Sequence, residues 1–165
     1  MGAPISIPNL IMAQAAQSGV PPSIALAVAQ KESSVSQWNS NGSLVTGTSG
    51  EVGVFQLMPG TAAQLGVDPS DVSQNIQGGI TYLAQLFQKY GNWNAALSAY
   101  NSGSPTGSPS YATSVLSIAA SLGLAPGTAV PAIDDSGDDS DATLSTPLLI
   151  GLALGGVAIA WWLLD

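Results

Sequence analysis

Glycine, proline and asparagine cut the first 123 residues into short runs, and within those runs the apolar residues recur at helical spacing. The run from Asn9 to Gln17 carries Leu10, Ile11, Ala13, Ala15 and Ala16, then stops at Gly19 with Pro21 and Pro22 beyond it. Ser23 reads as the cap of a second helix reaching about Ser36, with Ile24, Ala27, Val28 and Val35 near helical spacing and Glu32 in its last turns. Residues 37–53 are rich in Asn, Gly, Ser and Thr, which predicts a loop and no packed element. Thr61–Leu65 reads as a short helix closed by Gly66. A longer one follows over Ser73–Tyr90, with Ile76, Ile80, Leu83, Leu86 and Phe87 on one face and Gly91 as the stop. Asn92–Asn101 and Pro109–Leu122 complete the set. No run has the β-branched alternation of a sheet protein, so the expectation is an all-α domain over residues 1–123.

The rest of the chain has a different character. Residues 124–143 are Pro, Gly, Ser, Thr and Asp with few large apolar side chains, a composition that cannot repay its ordering entropy and reads as a flexible acidic tether. From Leu144 to Leu164 there is no charged side chain. At about 1.5 Å per residue that run spans roughly 30 Å, the thickness of a bilayer core. A transmembrane helix over 144–165 is therefore expected, with Trp161 and Trp162 where an aromatic belt would lie; a buried core helix is the alternative. No Lys or Arg flanks the run, so charge bias sets no orientation. Gly151 and Gly155 stand at the spacing of a helix-packing face, which is also ordinary for transmembrane glycine. The N-terminus has no basic region followed by a long apolar one, and does not read as a cleavable signal.

Composition removes several function classes. Of the net charge of −8, Asp134, Asp135, Asp138, Asp139, Asp141 and Asp165 supply −6, leaving −2 for the residues before them. Lys31 and Lys89 are the only cations, too few to neutralise phosphates, so no nucleic-acid partner is expected. Without Cys or His there is no disulfide frame, no thiol nucleophile and no imidazole base. No metal and no cofactor are expected either. Carboxylates must carry any acid or base chemistry.

Four linked motifs are candidates for that chemistry. They are Glu32-Ser33; Gly50-Glu51-Val52-Gly53-Val54-Phe55-Gln56-Leu57-Met58-Pro59-Gly60-Thr61-Ala62; Asn75-Ile76 with Gly79, Tyr82 and Leu83; and Ala99-Tyr100-Asn101. Their order and combined spacing resemble the soluble-type lytic transglycosylases, relatives of goose-type lysozyme, over about Leu10 to Leu122.

The resemblance implies a lysozyme-like helical fold and a peptidoglycan glycan strand as substrate. It makes Glu32 the catalytic residue, which protonates the linkage between N-acetylmuramic acid and N-acetylglucosamine and then takes the proton of the muramoyl 6-hydroxyl. The product is a 1,6-anhydro sugar. An acid that donates near neutral pH needs a raised pKa, which burial near the end of an apolar helix would supply. Ser33, Gly53, Gln56, Met58, Tyr100 and Asn101 are the implied substrate-binding residues. Glycine would let the backbone approach the sugar, and the Gln56 amide would both donate and accept hydrogen bonds. The bland reading of Tyr100 is a core tyrosine with a satisfied hydroxyl.

Three departures from the family pattern stand out. A Ser thought to orient the catalytic Glu usually lies three residues before the position of Gly50; here Gly47 stands there, with Thr48 or Ser49 as substitutes. The loop between Glu32 and Gly53 is longer. Glu51 replaces a common Ala, so it is either a solvated, loosely held loop residue or a second carboxylate that turns the chemistry to hydrolysis. The alternatives to a transglycosylase are thus a two-carboxylate muramidase using Glu32 and Glu51, and a glycan-binding membrane protein without turnover. A C-terminal anchor without a signal suits the lipid membrane of a phage virion, or a bacterial membrane with the domain facing the wall.

Overall fold

Among the described residues six helices form between the breakers: α1 (Ile7–Gln17), α2 (Pro22–Ser33), α3 (Pro59–Leu65), α4 (Val72–Tyr90), α5 (Trp93–Ser102) and α6 (Pro109–Ser121). They come from a computed structural model that describes residues 6–123. The tether, the apolar run with Gly151 and Gly155, and residues 1–5 lie outside the described residues. Among the described residues no helix is long and apolar enough to cross a membrane.

Local chemistry sets the helix ends. Asp71 caps α4 by accepting from Gln74 N, and Asn92 caps α5 by accepting from Ala95 N. Proline opens α1, α2, α3 and α6, where its fixed φ suits the first turn and its missing N–H costs nothing. The start of α2 corrects the sequence reading. Pro21 is the N-cap and Pro22 the first helical residue, so Ser23 lies inside the helix, buried, and caps nothing.

α2 packs on α1 and α6, α6 on α5, α5 on α4, and α4 back on α1, so five helices close a ring with α3 against α4. Ile11 and Ala15 of α1, Ala25 and Val28 of α2, Ile76, Ile80 and Leu83 of α4, Leu97 of α5 and Val115 of α6 meet in one core. Val54, Phe55 and Leu57 enter that core from the connection between α2 and α3. Full burial of a side chain like Phe55 stabilises by about 1.5–3 kcal/mol, enough to anchor the segment that carries Gln56. Gly79 makes this approach possible, since a Cβ there would overlap the Phe55 ring.

The connection is not the unpacked loop its composition suggests. Isolated antiparallel bridges join Trp38 to Leu44, Thr46 to Val52, and Val52 to Leu57. Gln37 and Asn75 are fully buried and bond its backbone from within. Gln37 accepts from Val54 N at 2.9 Å and donates to Pro69 O at 3.0 Å and Ser70 O at 3.1 Å. Asn75 accepts from Phe55 N at 2.9 Å and donates to Val52 O at 2.8 Å and Pro69 O at 2.9 Å. Two buried amides thus satisfy backbone groups that a packed loop would otherwise leave unpaired.

Candidate active site

Glu32 stands on the last turn of α2, which stops three residues earlier than its periodicity suggests. Ser34 and Val35 take left-handed φ values of 55° and 60°. For a β-branched residue such as Val35 that conformation costs on the order of 1–3 kcal/mol and needs compensation. Ser33 supplies it. Its hydroxyl lies 2.8 Å from Val54 O and 3.2 Å from Ala29 O, and accepts from Ser36 N at 3.1 Å. The resemblance made Ser33 a substrate contact; the structure spends its hydroxyl on fastening the end of α2 to the buried segment, and so on aiming Glu32.

The Tyr111 hydroxyl, from α6, donates to Oε1 of Glu32. Glu32 is held above the ordinary carboxyl range, chiefly by burial. The Tyr111 bond pulls it down, the charge of Glu51 pushes it up, and the exposed Lys31 beside it pulls it down least. Burial and then the charge of Glu32 raise the hydroxyls of Tyr111 and Tyr100, so both keep their protons. Tyr111 escaped the sequence reading. Its signal was its place among Ala112, Val115 and Ala119 on the buried stripe of α6, where a tyrosine hydroxyl needs a partner.

Gln56, Met58, Tyr100 and Asn101 line one open cavity, together with Leu57, Thr61, Tyr82, Ser102 and Gly103. Tyr100 has the satisfied hydroxyl of a core tyrosine and also reaches the cavity. Its hydroxyl donates to Phe55 O at 2.7 Å, while its ring, 5.3 Å from that of Tyr82, forms part of the wall. Asn101 accepts from Ser108 Oγ at 2.8 Å, and Met58 is 43% exposed, leaving its thioether free for an apolar face. Gln56 has φ 45°, and its amide donates to Gly53 O at 2.8 Å and, more weakly, to Val45 O at 3.4 Å.

Gly53 does not line the cavity. It is buried with φ 78°, and a Cβ there would overlap Gln37 Oε1 and stand 2.5 Å from Asn75 Nδ2. Glycine is needed here so that the two amides can close on the backbone, a structural reason for this residue that stands beside the implied approach of sugar.

Glu51 is not a loose residue either. It is partly buried, and its carboxylate accepts from Ser49 N at 2.9 Å. It lies over Gly47, where a Cβ would overlap its Oε2 and stand 3.0 Å from Gln56 Oε1. Thr48 and Ser49, the substitutes suggested by the sequence, are exposed. Among the described residues no group of three or more acidic side chains could hold a metal ion. What the site can do is hold a partly buried carboxyl group, its pKa raised by that burial, within the electrostatic reach of an aromatic and amide-lined cavity.

Comparisons with known proteins bear on the family and the fold. The family described as Transglycosylase SLT domain matches residues 9–108. A transglycosylase of Enterobacteria phage PRD1 is 39% identical over 94 residues, 56% of this chain and 33% of that protein, so the chain spans about a third of that relative. A lytic transglycosylase Slt from Pseudomonas aeruginosa, solved as an inactive mutant, shares the helical fold with a TM-score of 0.56. The match has 23% identity and covers 68% of this chain and 23% of that one. The 70 kDa soluble lytic transglycosylase of Escherichia coli aligns over 68% of this chain and 18% of its own, with 27% identity and a TM-score of 0.46. With the family matched across residues 9–108, the chain belongs to the transglycosylase SLT domain family.

Proposed function

We propose that this domain is a peptidoglycan lytic transglycosylase with Glu32 as its one acid and base. The observation that carries the reading is the partly buried Glu32, its pKa raised by that burial and its carboxyl bonded by Tyr111 at one oxygen only. Because Tyr111 donates to Oε1, the proton of neutral Glu32 belongs on Oε2, free to reach a glycosidic oxygen. Transfer of that proton breaks the bond between the muramoyl C1 and the leaving oxygen. The muramoyl 6-hydroxyl then bonds to C1, and its proton returns to the Glu32 carboxylate, which the Tyr111 hydrogen bond has stabilised meanwhile. No water is consumed, and the acid is regenerated. Gln56, Asn101, Met58 and Tyr100 would hold the sugars, the amides on N-acetyl groups and the apolar faces on pyranose rings.

Glu32→Gln tests the assignment, because the amide keeps the shape but cannot transfer a proton. The variant should release less than about one part in a hundred of the wild-type soluble fragments from purified cell walls. A fragment yield near wild type would remove Glu32 from the acid role.

One observation favours a second reading. Glu51 is held in place by Ser49 N, as a second catalytic carboxylate would need to be, and a two-carboxylate muramidase would release reducing ends. We further infer that residues 144–164 anchor the domain in a bilayer and that the setting is a phage virion; the uncharged run supports the first and the phage relative the second. Deleting the chain after Pro131 should leave the domain in plain buffer while the full chain partitions into detergent. The reverse partition would rule the anchor out.

A further inference from the structure

The two amides of the cavity are held with opposite polarity. Gln56 Nε2 donates to Gly53 O at 2.8 Å and to Val45 O at 3.4 Å, and its Oε1 accepts from no group among the described residues. Asn101 is the reverse. Its Oδ1 accepts from Ser108 Oγ at 2.8 Å, and its Nδ2 donates to no group among the described residues. Both side chains line the same cavity, so its wall holds one free amide acceptor and one free amide donor.

The Ser108 hydroxyl is given over to this bond. Ser108 is the N-cap of α6, where a serine hydroxyl ordinarily accepts from the backbone of the first turn, yet this one makes no such bond. Its backbone is fixed independently: Ser108 N donates at 2.8 Å to Oγ of the buried Ser98, and Ser108 O accepts from Ala112 N at 3.3 Å. The turn before it is folded onto the end of α5. There Ser102 Oγ donates to Ser98 O at 2.8 Å and Ser104 O at 3.1 Å, and a Cβ on Gly107 would overlap Ser102 Oγ. The hydroxyl is thus delivered to Asn101 by contacts in which it takes no part.

We propose that Ser108 is a positioning residue for Asn101, fixing its amide to read an acetamido group of the glycan: Asn101 Nδ2 donates to the acetamido carbonyl while Gln56 Oε1 accepts the acetamido N–H. The inference rests on the reading of the domain as a peptidoglycan-cleaving enzyme. An acetamido group carries one acceptor and one donor, and matches a wall that holds one of each. A free amino sugar carries an ammonium, with donors only, and leaves Asn101 Nδ2 facing another donor. Asn101 is exposed, so without the Ser108 bond its amide turns over freely and presents either end.

Calorimetric titration of the full chain carrying Glu32→Gln, with peptide-free glycan strands and with the same strands de-N-acetylated at glucosamine, tests this. Adding Ser108→Ala should weaken binding of the acetylated strands about threefold to tenfold, the value of one hydrogen bond, without weakening binding of the de-N-acetylated ones. Ser108→Thr, which keeps the hydroxyl, should bind both as the parent does. Asn101→Asp keeps an acceptor for Ser108 but has no N–H to give; it should lose the same preference, with little further loss when Ser108→Ala is added. Equal weakening toward both strands in Ser108→Ala would reduce Ser108 to a structural link between α5 and α6, and unchanged binding of the acetylated strands would remove it from recognition; either overturns the proposal. Because binding is read without turnover, that failure is distinct from failure of the enzyme reading, which would show as acetylated strands left intact by the wild-type protein.

Discussion

The Tyr111 hydroxyl donates to Oε1 of Glu32, joining α6 to the end of α2 across seventy-nine positions of sequence. The bond has a sign that can be read in solution. It favours the ionised carboxylate, opposing the burial that favours the neutral acid.

Tyr111→Phe removes the donor and keeps the ring. The Glu32 pKa should rise further, moving the alkaline limb of the activity profile to higher pH. The maximal rate should fall roughly ten- to a hundred-fold, the value of about 1.5–3 kcal/mol for a hydrogen bond to a charged group. A lower rate with an unmoved limb would mean that Tyr111 serves packing alone.

Burial also ties Glu32 to stability. Its folded pKa lies above the usual 4.5, so its contribution is complete below that value and is lost as pH rises through the folded pKa, where the buried group must ionise. Glu32→Gln should therefore match the wild type in melting temperature below about pH 4.5 and exceed it increasingly above, by differential scanning calorimetry. A gap that closes with rising pH would contradict the burial.

Gly53 and Gly50 separate two costs of a side chain. Both have left-handed φ, 78° and 92°, but a Cβ at Gly50 meets nothing within 4 Å while one at Gly53 meets Gln37 and Asn75. Gly50→Ala should cost about 1–2 kcal/mol in urea unfolding. Gly53→Ala should cost at least about 2 kcal/mol more, through the displaced buried amides. Equal losses would show that the amide network does not hold the connection.

The helices were legible because Gly, Pro and Asn end them and one stripe of each is apolar, as over Ile76, Ile80, Leu83 and Leu86 of α4. Glu32, Gln56, Met58, Tyr100 and Asn101 were legible as motif positions. What escaped depends on contacts between distant segments. Gln37 is a polar residue in a polar stretch, and nothing local marks it as fully buried; its partners are Val54, Pro69 and Ser70. Tyr111 belongs to no motif, and its role exists only where α6 meets α2. Val35 continued the helical pattern of α2, yet the Ser33 links to Val54 and Ser36 bend the chain away two residues before it. Glu51 looked solvated because the space over Gly47 exists only once the hairpin closes.

The most direct measurement of the central claim is the mass of the sugar ends that the full-length protein releases from purified peptidoglycan. If Glu32 alone serves as acid and base, the muramoyl ends are 1,6-anhydro, lighter by one water than reducing ends, and stay so in the residual products of Glu51→Gln. Reducing ends from the wild-type protein that disappear on mutating Glu51 would contradict that account and assign the hydrolytic water to Glu51.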